Sequence, residues 1–228
     1  MTLVYVPAGE FQMGSENGYS DEKPVHTVYL DVFWIDQTEV TNAMYAQCVQ
    51  AGDCIQPSST IYYSNSNYND HPVVYVSWND ASAFCEWADR RLPTEAEWEK
   101  AARGGLEGKA YPWGDEAPVC ELGAENGAQY GSCSGQTVPV GSFGENGYGL
   151  YDMAGNVWEW VADWYASDYY ASSPSSNPTG PDSGSSRVLR GGSWYPYGAF
   201  NIRSAIHYWD DPANTSSYLG FRCSHSSP

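Results

Sequence analysis

The chain is poor in positive charge. It carries 10 Lys and Arg against 28 Asp and Glu, a net charge of -18 over 228 residues. A nucleic-acid binder needs a basic patch to neutralise phosphates, and docking on anionic lipid needs one too, so neither partner is expected. No apolar run approaches the ~20 residues of a membrane-spanning helix, so no membrane insertion is expected. Met1 to Met13 lack the basic start and apolar core of a signal peptide, so none is expected here. Charged residues are 17% of the chain, under the usual ~25%. No segment has linker composition, and no repeat of 20–50 residues is present. The C-x-x-C spacing of a zinc ribbon is missing. So are G-x-S-x-G, a P-loop and any nucleophile–base pair.

What the chain does have is aromatic side chains and turn formers. Aromatics are 15%, with 10 Trp and 19 Tyr, beside 23 Gly and 14 Pro. That is too aromatic for a disordered chain. At this length about 70% of the surface can be buried. The composition predicts one loop-rich α+β domain over residues 1–228.

Three helices are predicted. Thr41 to Ala51 is one. Asn79 to Asp89 has Ala, Phe and Trp on one face, with Asn79 or Ser77 as cap. Thr94 to Arg103 carries a T-x-x-E capping box at Thr94 and Glu97, and Gly104-Gly105 supply a left-handed stop. Val25 to Asp36 alternates like one half-buried strand, and Gln136–Val140, Val157–Val161, Arg187–Leu189 and Tyr218–Cys223 are further strand candidates. Gln56–Asp70 and Ser167–Ser186 read as surface loops.

Six cysteines, Cys48, Cys54, Cys85, Cys120, Cys133 and Cys223, allow 15 pairings. Cys48 with Cys54 and Cys120 with Cys133 could close small loops, which leaves Cys85 with Cys223. The alternative is that some are free buried thiols. Disulfides would suit an extracytoplasmic compartment or a thermophile's cytosol.

An ordered series of short motifs spans nearly the whole chain. It runs through Val6-Pro7-Ala8-Gly9-Glu10-Phe11, Met13-Gly14, Glu39-Val40-Thr41-Asn42, His71-Pro72-Val73 and Val76-Ser77-Trp78. It continues through R-L-P-T-E-A-E-W-E at 91–99, Y-P-W-G at 111–114, N-G-Y-G-L-Y-D at 146–152 and G-N-V-W-E-W at 155–160. It closes with R-G-G-S-W at 190–194 and L-G-F-R-C at 219–223. This series resembles the formylglycine-generating enzyme (sulfatase-modifying factor) family. The resemblance implies a variant of the C-type lectin fold and a disulfide between Cys85 and Cys223. A second family disulfide has no counterpart; its positions fall near Ala102 and Ser204.

The family's enzymes oxidise a client cysteine to formylglycine with two copper-binding cysteines, and thiolates suit Cu(I) because both are soft. Here no cysteine lies between Cys133 and Cys223, and the matching positions fall at about Pro196 and Ala199. No copper and no catalytic residue are therefore expected. Related iron-dependent sulfoxide synthases use clustered histidines. The four here, His26, His71, His207 and His225, lack that spacing, and His71 reads as scaffold. Glu159 reads as a buried carboxylate satisfied by backbone donors, and Arg91, Arg190 and Arg222 as holders of scaffold hydrogen bonds.

Between Trp194 and Tyr218 the chain is rich in Tyr and Trp interleaved with Asn, Asp, Ser and His. Tyr and Trp give large, rigid contact area at low entropic cost, and Ser and Asn give adaptable hydrogen bonds. The segment resembles the variable region of proteins diversified by retroelements, which often use this lectin-like scaffold. Adenine randomisation there turns Asn codons into Tyr, Ser, Asp, His, Ile, Phe or Pro. The candidate ligand-binding residues are Tyr195, Pro196, Tyr197, Phe200, Asn201, Ile206, His207, Tyr208, Trp209, Asp210, Asp211, Ser216, Ser217 and Tyr218. They are expected to face solvent, because consecutive polar and aromatic residues make a poor core. Trp78, Trp98, Trp113, Trp158, Trp160 and Trp194 are expected to fill the core. G-G-S-W, Arg203-Ser204-Ala205 and Pro212-Ala213-Asn214 punctuate the segment as constant positions.

The resemblance also implies structural calcium on Glu22, Asn146, Gly147 and Gly149, an oxygen donor set of the kind Ca²⁺ takes. A second site would begin at Asn126 and Gly127, but Gln129–Gly135 lacks its acidic half. Three functions follow as hypotheses. The first is a non-catalytic module binding a protein or cell-surface ligand. The second is an enzyme of this fold with altered chemistry. The third is a regulatory domain of a larger protein.

Overall fold

In the computed structural model the described residues are 1–131, 133, 135–195 and 198–226. Four strands open the chain: β1 (Leu3–Val6), β2 (Gly9–Met13), β3 (His26–Leu30) and β4 (Phe33–Asp36). The alternating run from Val25 is thus two strands rather than one. The break falls at Asp31, whose N–H donates to Asn177 Oδ1 at 2.9 Å and so leaves the ladder. β2 and β3 pair as a two-stranded antiparallel sheet, while β1 and β4 join β9 (Ser224–His225) in another.

The three helices follow their caps. Helix α1 spans Asn42–Ala51, capped by the Thr41 side chain and ended by Gly52 in the left-handed region. Helix α2 spans Trp78–Trp87, a residue earlier than its apolar face suggested, because Ser77 and Asp80 form a capping box. Helix α3 spans Glu95–Arg103 behind the Thr94/Glu97 box, and Gly104 stops it at φ 55°. A side chain at Gly104 would also collide with the Gly147 backbone, 2.8 Å from an added Cβ.

The remaining strands are β5 (Trp158–Trp164), β6 (Arg187–Arg190), β7 (His207–Asp210) and β8 (Leu219–Gly220). They form a sheet in the order β7-β6-β5-β8, with β5 and β8 parallel. Strand β7 is therefore an edge. The stretch Gln136–Val140 is not a strand, because its backbone bonds singly to Asn156 Oδ1, Asp70 O and Gln129 Nε2. Of Tyr218–Cys223 only two residues are strand; beyond them Phe221 O and Cys223 O each take one N–H, from Val40 and Asp36. Gln56–Asp70 and Ser167–Ser186 are loops, each with one short 3-10 turn.

All three pairings Cys48–Cys54, Cys85–Cys223 and Cys120–Cys133 are disulfides, and no cysteine is free. The second ties α2 to the residue before β9. Among the described residues no helix is long and apolar enough to cross a membrane.

Helix α3 sits at the centre and is buried on every side, charged residues included. It can be so because each charge has a partner. Glu99 receives Arg103 at 2.6 Å and also pairs with Arg190. Lys100 Nζ donates to the carbonyls of Pro7 and Gly9, both at 2.8 Å. Burial raises the Glu99 pKa, but Arg103 and Arg190 outweigh it and leave it below the usual value. Glu159 is buried beside this helix, and its partners differ from the expected backbone donors. Arg222 grips both of its oxygens at 2.7 Å and Trp98 Nε1 donates at 2.7 Å. A carboxylate this deep needs a charged partner, not amides alone. Arg91, Arg190 and Arg222 all serve the scaffold, Arg91 through a two-point pair with Glu97. His71 does too, through Thr137 at 2.9 Å. Trp98, Trp158 and Trp160 are core, whereas Trp78, Trp113 and Trp194 are only half-buried.

Candidate ligand-binding surface

Strand β7 sits at the sheet edge, so no strand among the described residues pairs with its outer flank. Tyr208 is 52% exposed and Trp209 39%. Both are held from beneath by other rings. Tyr208 leans on Trp158 with centroids 5.9 Å apart, and Trp209 stacks on Tyr165 at 4.1 Å. Tyr195 (40% exposed) meets Tyr218 at 5.0 Å and Trp194 at 5.8 Å. Trp194 is anchored by its own Nε1, which donates to Ser217 O at 3.0 Å. Aromatic pairs at such separations gain about 0.5–1.5 kcal/mol beyond area burial, enough to orient exposed rings.

A cavity of about 480 Å³ opens beside β7. Tyr208, Trp209, Asp210 and Tyr218 line it from the predicted segment, and Asn201, Ile206 and His207 join them. Tyr19, Ser20, Asp21, Trp158 and Leu189 complete it from elsewhere in the chain. The Tyr19–Asp21 loop gave no sequence signal, being a short Gly- and Ser-rich acidic stretch. Trp158 was assigned to the core by its motif, and it is buried while also reaching the cavity.

Fixed residues position the displayed ones. Arg203 pairs with both oxygens of Glu22, at 2.7 and 2.9 Å, and so straps the Tyr19 loop to the 199–205 segment. Its guanidinium covers the Phe200 ring at 3.8 Å, and Phe200 (40% exposed) meets Tyr19 edge-on at 5.1 Å. Gly192, at φ 77°, lets the chain pass Asn201: an added Cβ there would lie 2.2 Å from Asn201 O.

Two expected surface residues are not displayed. Ile206 is 1% exposed and belongs to the main apolar core, in one cluster with Trp158, Leu189 and Leu219. His207 is 5% exposed and points inward, where Nδ1 lies 2.6 Å from Glu95 Oε1 and Nε2 3.3 Å from Asp21 Oδ2. Burial pushes the imidazole down, but Glu95 and Asp21 outweigh burial and hold it up at about 9. The same contact, with a hydrogen bond from Tyr165, holds Asp21 down at about 2 despite partial burial. Asp210 and Asp211 spend their carboxylates on the turn that follows β7, accepting from Asn214 Nδ2 and Ala213 N. Ser216 and Ser217 are half-buried, and their carbonyls accept from Tyr75 N and Trp194 Nε1. Pro196 and Tyr197 lie outside the described residues.

Of the four residues expected to hold calcium, Glu22 and Asn146 carry the side-chain oxygens, and these two are engaged separately. Glu22 gives both oxygens to Arg203. Asn146 caps α3: its Nδ2 donates to Ala101 O and Ala102 O, and its Oδ1 accepts from Tyr148 N and Leu150 N. A carboxylate neutralised by a guanidinium and a saturated amide do not fit one shared cation, and no function is derived from one here. Ala102 and Ser204, where the second family disulfide would run, are both buried, so the loss of that bridge leaves a packed position at each.

A family model described as the sulfatase-modifying factor enzyme 1-like domain matches residues 1–226. The chain belongs to that family. It is 40% identical, over an alignment 279 positions long, to the formylglycine-generating enzyme of Streptomyces coelicolor, covering 97% of this chain and 88% of that protein. It is 33% identical over 277 residues to the mouse protein named inactive C-alpha-formylglycine-generating enzyme 2, covering 98% and 85%. Among solved structures, Treponema denticola variable protein 1 superposes with a TM-score of 0.83 at 30% identity, over 99% of this chain and 95% of that one. The fold is thus the C-type-lectin-like α+β fold of the sulfatase-modifying factor type, and it is shared by enzymes and by a variable protein.

Proposed function

We propose that this family member is a non-catalytic binding module. On this reading it displays a diversified aromatic surface to a protein or cell-surface ligand. The observation that carries the reading is the edge strand β7. It holds Tyr208 and Trp209 outward beside a cavity, over a base fixed by the His207–Glu95 and Arg203–Glu22 pairs. The likeness to a variable protein over nearly its whole length supports it. All six cysteines are spent in disulfides, so no thiol is available to bind Cu(I) or attack a substrate. Three disulfides also favour an oxidising, extracytoplasmic setting.

Diversification is tested in the native genome. A reverse transcriptase gene beside this one, with a near-identical copy of the 194–218 coding segment differing at adenines, is the expected finding. An invariant segment with no such copy overturns it. The 40% identity to a formylglycine-generating enzyme favours a second reading, an enzyme with altered chemistry. Detectable copper-dependent oxidation of a cysteine peptide by the purified protein would overturn the non-catalytic reading; no turnover is expected.

A further inference from the structure

A second cavity of about 630 Å³ shares no lining residue with the first. Its wall carries Arg187, at the start of β6, and the apolar side chains of Leu30, Val32, Trp78, Leu92 and Pro178. The Arg187 guanidinium lies between two indoles, 3.8 Å from the Trp78 ring and 3.5 Å from the Trp164 ring. Both of its faces are covered, so it can bind only through its edges. Nη1 donates to Ala162 O. On the other edge Nε is buried with no partner, and no hydrogen bond runs from Nη2 to any described residue.

Arg187 is the exception among the seven arginines. The other six, Arg90, Arg91, Arg103, Arg190, Arg203 and Arg222, each pair with a carboxylate among the described residues. In a protein with 28 acidic residues, Arg187 is the arginine without an ion pair among the described residues. The two acids lining the cavity are already engaged, and Asp163, whose charge reaches Arg187, accepts from Glu95 N at 2.7 Å. Glu97 holds Arg91 at 2.6 Å, and Asp31 bonds Asn177 at 3.0 Å. A buried donor without an acceptor is costly, and the Nε/Nη2 edge is the fork that receives a carboxylate at two points.

We propose that this cleft is a binding site for a carboxylate joined to an apolar body, the carboxylate gripped by the Nε/Nη2 edge of Arg187. The apolar body rests on Trp78, Leu30 and Pro178. The site is independent of the aromatic surface on β7.

Calorimetric titration with N-acetyl-leucine, N-acetyl-leucinamide and the amidated peptide acetyl-Leu-Glu-Leu tests it. The first probe offers a terminal carboxylate, the last a side-chain one. At least one acid is expected to bind about tenfold or more tighter than the neutral leucinamide, since hydrogen bonds to charged groups carry that much. Binding should shift the indole N–H resonances of Trp78 and Trp164. Arg187→Gln should erase the preference for acid over amide, and Arg187→Lys should weaken it. Melting temperatures of both variants report whether they fold. If neither does, the acid-against-amide comparison on the unaltered protein still decides. Equal binding of acid and amide, no binding of either acid, or shifts that avoid both indoles overturns the proposal.

Discussion

The Nδ1 of His207 lies 2.6 Å from Glu95 Oε1, across 112 residues of chain. The contact joins the first residue of the edge strand to the first residue of the central helix. Tyr170 donates to the same Glu95 oxygen at 3.0 Å, and Asp21 closes the other side of the ring. The displayed Tyr208 and Trp209 follow directly from this anchored position.

That anchor makes stability depend on pH at both ends. Folded His207 titrates at about 9 against an ordinary 6.5. Its contribution is complete below pH 6.5 and is lost as the pH rises through 9. Asp21 titrates at about 2 against 3.8, so its contribution is complete above pH 3.8 and is lost as the pH falls through 2. Between pH 6.5 and 9 the unaltered protein should lose on the order of 3 kcal/mol through His207. Melting curves across that window should show the slope, and His207→Gln should remove it. An unchanged slope in the variant would mean that another group carries it.

The Glu159–Arg222 pair predicts a large single-site effect. Both side chains are buried. Arg222→Met leaves Glu159 with Trp98 alone, and an orphaned buried charge costs about 3–5 kcal/mol. Urea denaturation should show that loss. The double variant Glu159→Gln, Arg222→Met should lose less than the sum of the two single changes, because the pair is one interaction.

The disulfides should differ in weight. Cys85–Cys223 closes a separation of 138 residues and Cys48–Cys54 one of 6. Chain-entropy scaling gives about 5 kcal/mol for the first and about 2 for the second. Paired Cys→Ser variants compared by denaturant midpoint check the order. The reverse ranking would show that the long bridge does little to confine the unfolded chain.

Adjacent positions should separate surface from core. Tyr208→Ala and Trp209→Ala should each lower stability by about 1 kcal/mol, since each exposed ring meets one ring beneath it and its neighbour beside it at the surface. Ile206→Ala, at a fully packed site, should cost about 2–5 kcal/mol. Thermal unfolding of the three variants distinguishes these outcomes.

The sequence revealed the helices well because their caps are local: Thr41, Ser77 and Thr94 each bond within three residues. The short strands β1, β2, β7 and β9 were invisible as periodic patterns. Two to five residues hold little alternation, and β7 reads H-Y-W-D, with no apolar–polar rhythm. The aromatic segment was legible from composition, but which of its members turn inward was not. His207 is buried because Glu95 and Asp21 await it, and both lie more than a hundred residues away in the chain. The same distance hid the contribution of Tyr19 and Asp21 to the cavity. Glu22 looked like a cation ligand beside Asn146 until Arg203 was found holding both of its oxygens.

The central claim is that a rigid scaffold carries a surface free to vary. A display library randomised at Tyr195, Phe200, Tyr208, Trp209 and Tyr218, with Ile206, His207 and Arg203 fixed, measures this directly. Protease resistance should persist in most members, and selection should yield binders to unrelated target proteins. Widespread loss of protease resistance, or folded libraries that yield no binder to any target, would contradict it.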